Sequence, residues 1–194
     1  MSVVAFCAPD EREIVEEIRA WSAHALEKNS PYFNGLPPCP YAKKAWQDER
    51  VAIIFKYGGN QCLFNVLTEF NAAFDLVIIV DRHVRQTSDE FHDYIDGLND
   101  AISRGIFVDR DLWVMGFHPD DEANDLIDDG TFEPQVDASY AMTFVQRLTK
   151  VQEAADKLKQ MGYYDAYLGE YNASELFEKR ETLYRRLKNG NEPA

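Results

Sequence analysis

The sequence predicts an α/β domain, with α+β as the alternative: one mixed sheet of about four strands flanked by helices. Three observations predict it. Apolar runs of strand length alternate with segments of helical periodicity between residues 51 and 117. A fourth apolar run, SYAMTFVQR (139–147), follows a loop instead of a helix, so its direction in the sheet is open. The chain has 194 residues, 45% apolar and 28% charged, which suits a single core. A two-layer ferredoxin-like arrangement and a small three-layer sandwich both satisfy this pattern, because strand order is not written in the sequence.

The elements follow in order. From Asp10 to about Lys28, Ile14, Ile18, Trp21 and Ala25 recur at helical spacing. Pro31, Gly35, Pro37, Pro38 and Pro40 then enforce an irregular connection, with a short helix starting at Pro40. VAIIFKY (51–57) reads as a buried strand, residues 60–74 as a helix, and DLVIIVDR (75–82) as a second strand. Residues 88–105 form a helix with Phe91, Tyr94, Ile95, Leu98 and Ile102 on its apolar stripe and Ser88 as its N-cap. DLWVMGF (111–117) is the third strand. Two helices, 149–161 and about 172–188, form a C-terminal extension of the same single domain (1–194), with Gly162 as a C-cap.

The formal charge is −14, and ten acids against one base between Asp109 and Asp137 contribute −9 of it. Such a chain is repelled by nucleic-acid phosphate and by anionic membrane faces. No apolar run approaches the roughly 20 residues that span a bilayer, and the N-terminus lacks the pattern of a signal peptide, so a cytoplasmic location is expected. Cys7, Cys39 and Cys62 are odd in number and widely spaced, which argues against a disulfide framework or zinc knuckle.

Chemistry concentrates in LWVMGFHPDDE (112–122). His118 leaves the third strand at its carboxyl end, where open α/β sheets gather ligands. Pro119 stops the strand, and Asp120, Asp121 and Glu122 follow. A neutral imidazole beside carboxylates is a usual ligand set for zinc, iron or manganese, so His118, Asp120 and Asp121 are candidate ligands of a divalent metal. The plainer alternative is an acidic turn with His118 packed beneath it, one ring nitrogen hydrogen-bonded. Cys39 precedes Pro40, where helical N–H groups and Lys43 and Lys44 favour a thiolate. A Cys39–His118 pair would supply a nucleophile and a general base. Tyr41, Lys43, Arg82, Asp120 and Glu122 are the candidate contacts to a small-molecule substrate. The helical His24 and His92 are expected to be structural.

Two resemblances bear on these residues. HPDDE after an apolar strand resembles the metal motif of the zinc-dependent de-N-acetylases of amino sugars. That resemblance implies His118 and Asp121 as zinc ligands and Asp120 as base. The family takes a further ligand from a later HxxH, whereas no histidine follows His118 here. PPCPYA (37–42) and MGFHP (115–119) are similar to the CPFA and FHP segments of a bacterial domain of unknown function, over residues 10–147. This second resemblance implies no activity but couples Cys39 to His118.

Three functions follow as expectations: a small thiol-dependent enzyme using Cys39 and His118, a metal-dependent hydrolase centred on HPDDE, or a non-catalytic acidic protein. In the last, the acidic loop binds a basic partner and the final helix contributes to a homo-oligomer.

Overall fold

A computed structural model describes residues 9–59, 61–70, 73–107, 110–122, 136, 139–165 and 173–189. The expected four strands form one sheet: β1 (Val51–Lys56), β2 (Leu76–Asp81), β3 (Leu112–Phe117) and β4 (Ala141–Arg147), in the order β1-β2-β4-β3. β1 and β2 are parallel, and β4 runs antiparallel to both β2 and β3. The direction left open by the sequence is therefore antiparallel. β4 fills the place between β2 and β3.

Among the described residues, six α-helices surround the sheet: α1 (Pro9–Trp21), α2 (Ala42–Gln47), α3 (Gln61–Glu69), α4 (Ser88–Ser103), α5 (Leu148–Gln160) and α6 (Ala173–Asn189). The crossovers β1-α3-β2 and β2-α4-β3 both advance across the sheet in the same direction. Crossovers of one hand then put both helices on one face. Leu63, Val66 and Leu67 of α3 and Phe91, Ile95 and Ile102 of α4 accordingly share a core with Val77, Ile79, Val114 and Val145. On the opposite face, Ile14 and Ile18 of α1 pack on Ile78, Val80 and Met142, with Trp46 of α2 beside them. Helices on both faces make this a three-layer sandwich, and the two-layer alternative is set aside.

Several local expectations change. The first helix does not run unbroken to Lys28: it ends at Trp21 and continues as a π-helical turn, Ser22–Leu26. Ser22 is held there by Trp46 Nε1 and by Glu27, which also clamps Arg19 at 2.5 Å. α2 begins at Ala42 instead of Pro40, and α3 ends at Glu69. The N-cap of α4 is Thr87, not Ser88, because Thr87 and Glu90 form a reciprocal capping box. The C-terminal helices pack back on the sheet. Leu148 of α5 and Leu183 of α6 close over Trp113 of β3, and Arg186 of α6 reaches Asp100 of α4 at 3.0 Å. The C-cap of α5 is Met161, and Gly162 follows it with φ +70°, the left-handed residue that commonly terminates a helix.

Candidate functional site

β1, β2 and β3 advance without reversal, so their carboxyl ends meet no switch in strand order of the kind that opens a ligand crevice. His118 sits at this edge with only 2% of its surface exposed. Its Nε2 lies 3.0 Å from the Gln86 carbonyl, which can only accept. Its Nδ1 lies 3.2 Å from the Asp120 N–H, which can only donate. The two backbone groups suit the tautomer that carries its proton on Nε2, and both nitrogens are engaged. The Asp120 carboxylate lies 3.8 Å from Nδ1 and is largely exposed. Phe91 packs against the ring, with centroids 5.7 Å apart. The N–H of Asp121 closes a turn onto the His118 carbonyl at 3.0 Å. This is the acidic turn with a packed histidine.

Asp121 is the hub of the cluster. One carboxylate oxygen accepts from the His118 N–H at 2.7 Å; the other accepts from Ser88 Oγ at 2.6 Å and His92 Nε2 at 2.8 Å. Burial opposes ionisation of Asp121, but these donors outweigh it and hold the carboxyl below the usual carboxylate range. Ser88 and His92 are four residues apart and therefore share one face of α4. Their i, i+4 spacing was visible in the sequence, but nothing there linked them to an acid thirty residues on. Chemically, Asp121 orients the His92 imidazole and the β3 exit is fastened to the start of α4.

Cys39 has a different environment. Its N–H donates to the Leu26 carbonyl, and its carbonyl accepts from Ala42. Burial pushes the thiol up, opposed by the N–H groups of Ala42 and Tyr41 and aided by the negative charge of Glu27. The expected N-terminal donors are present, but desolvation wins and the thiol stays protonated. Lys44 is bound to Asp48 at 2.6 Å and Lys43 is exposed. No hydrogen bond joins Cys39 to His118 among the described residues. The proposed nucleophile is therefore neither ionised nor matched with a free base.

The other candidates do not converge. Tyr41 and Glu122 are exposed, and Arg82 is bound to Asp10 at 2.5 Å. Among the described residues no group of three His, Cys, Asp or Glu side chains is placed to hold a metal ion. His118, with both nitrogens engaged, would have to give up a backbone bond to ligate a metal together with Asp120 and Asp121. Asp125, Asp128 and Asp129 of the acidic loop, and Cys7, lie outside the described residues.

The sheet margins differ sharply. β3 is an edge strand, yet its outward backbone is occupied at Val114: Asn99 of α4, 1% exposed, donates Nδ2 to the Val114 carbonyl at 2.8 Å and accepts the Val114 N–H at 2.9 Å. The carboxamide mimics a neighbouring strand. At the opposite margin, no group among the described residues outside β2 bonds the backbone of Val51–Lys56. Beside β1 lies an open groove of about 410 Å³ lined by Ala52, Ile54, Cys62, Val66, Phe70 and Phe74, with Glu69 at its rim. A smaller cleft of about 200 Å³ between α4 and α6 is lined by the ion pairs Lys179–Asp96 and Arg186–Asp100.

No helix among the described residues is long and apolar enough to cross a membrane. Comparison with protein-family models, curated proteins and solved structures finds no significant match to this chain.

Proposed function

We propose that this protein is a non-catalytic binding or assembly protein whose working surface is the outer margin of β1. The observation that carries the reading is the contrast between the margins: Asn99 caps Val114 at the middle of β3, whereas no group among the described residues bonds the outer backbone of β1, which lies beside an apolar groove. Edge strands are usually blunted by prolines, bulges or charges within the strand. VAIIFK has none before its terminal lysine. The protonated Cys39 and fully engaged His118 remove the support that a thiol enzyme would need.

Strand addition recognises backbone first and side chains second. The test is hydrogen exchange of the 51–56 amides with an excess of an alternating threonine-valine octapeptide. Exchange slowing by at least about tenfold, confined to β1, is the expected result. Unchanged exchange at saturating peptide overturns the reading. Rapid stoichiometric alkylation of Cys39 near neutral pH would reinstate the thiol enzyme.

A further inference from the structure

Resting on that reading, we infer that the partner of the β1 margin is a second copy of this chain, paired antiparallel to give one eight-stranded sheet. The first argument is geometric. With Val114 in the middle of the β3 edge bonded to Asn99, a β1-to-β3 contact, which would propagate into a filament, loses its central backbone pairing. Among the described edges, β1 against β1 meets no such obstacle, and that contact closes on itself about a two-fold axis.

The second argument is the side-chain register. A two-fold axis normal to the sheet keeps each side chain on its own face, so residues directly opposite must have the same parity. Centring on Ile53 sets Ile53 against Ile53, Ala52 against Ile54, and Val51 against Phe55. Every one of these pairs is apolar. Ala52 and Ile54 both line the groove, so the grooves of the two copies become continuous across the axis.

The third argument is charge. The whole chain carries −14, and two copies repel over most of their surfaces. At the β1 margin, however, each cation is matched: Arg50 with Asp75 at 2.6 Å, Lys56 with Asp81 at 2.6 Å, and Lys44 with Asp48 at 2.6 Å. The rim residue Glu69 adds an acid beside this stretch. A neutral apolar partner strand complements such a margin better than a basic peptide does. Five residues on each strand pair, and Arg50, bound to Asp75, faces Lys56, bound to Asp81; such a contact is small beside the roughly 1,000 Å² that specific interfaces bury. The dimer is accordingly weak and concentration-dependent.

Sedimentation velocity of the full chain from low to high micromolar concentration is the test. The expected result is a monomer–dimer equilibrium that tightens with added salt as the repulsion is screened. Ile54→Lys should weaken it at least about tenfold, whereas Met115→Lys, at the sealed margin, should leave it unchanged. Should Ile54→Lys fail to fold, Ile53→Cys supplies the second readout. Under mild oxidation, the register predicts an intermolecular disulfide between the two position-53 thiols, identified by peptide mass mapping. A monomer at every concentration overturns the inference, as does a dimer that salt weakens or that survives Ile54→Lys without the position-53 crosslink. If the chain stays monomeric while the threonine-valine octapeptide still protects β1, the partner is wrong and the binding reading stands. If neither occurs, both fall.

Discussion

Asp121 gathers three hydrogen bonds from two parts of the chain: His118 of the β3 exit, and Ser88 and His92 of the first turns of α4. Asp121→Ala leaves the His118 N–H without that acceptor and frees the β3 exit from α4. A loss of roughly 2–4 kcal/mol in urea unfolding is expected. The carboxyl is held below its ordinary range, so its contribution is full above the unfolded carboxylate range, about pH 4, and is lost as pH falls through its lower folded value. The Asp121→Ala and native proteins should therefore converge in stability as the solution is acidified. Cys39 should resist alkylation in the native state near neutral pH and react on denaturation, because burial keeps its thiol protonated. The position of His118 was legible from an apolar run stopped by Pro119. Its partners were not, since Gln86 and the α4 residues reach it only through the fold.

At the scale of elements, α4 does more than cover the core. Its apolar stripe was readable from the periodicity of Phe91, Ile95 and Ile102, all buried as that spacing implies. Asn99 was hidden, because a polar residue amid such a stripe acquires its meaning only when β3 is known to be an edge. Asn99→Leu strands the Val114 N–H and carbonyl without partners, and thermal or urea unfolding should record a loss of about 2–5 kcal/mol. Gly116 allows the close approach of helix and strand: a Cβ there would meet Phe91 Cε1 at 2.6 Å and Ile95 Cγ1 at 3.1 Å. Gly116→Ala is expected to cost about 1–3 kcal/mol by overpacking. Thr87 and Ser88 show how a boundary misleads. Either residue can cap, and the reciprocal bond with Glu90 decides for Thr87, which leaves the Ser88 hydroxyl for Asp121.

Across the whole molecule, the two ends of the sheet are fastened by different means. At the amino end, Asp75 joins β1, β2 and α5 by accepting from Arg50 at 2.6 and 2.9 Å and from Lys150 at 2.6 Å. The Arg50 hydrogen bonds, with Lys150 adding to them against the effect of burial, lower the Asp75 carboxyl to about 2. Its stabilising effect is present above about pH 4 and disappears as pH falls through about 2, so acid unfolding should begin within that interval. Asp75→Asn should flatten the stability curve there, measured by urea titration at successive pH values. The number and order of elements were legible because each strand and helix carries its own apolar period. The layer arrangement was not, because it depends on where β4 goes, and β4 enters from a loop with no helix to indicate a crossover.

That late entry shapes the order in which the chain can assemble during synthesis. When residues 51–117 have been made, β2 and β3 are the inner neighbours of a strand that does not yet exist. Asn99 lies only fifteen residues before Val114, so it can claim one side of β3 as soon as the α4–β3 unit closes. The nascent sheet thereby acquires a marked outside and a vacancy inside. The incoming strand, 141–147, is directed to the vacancy instead of to the rim. A chain released before residue 141 would keep that slot open, with Ile79 and Val114 on its two walls, and is expected to associate with other released fragments until β4 is supplied.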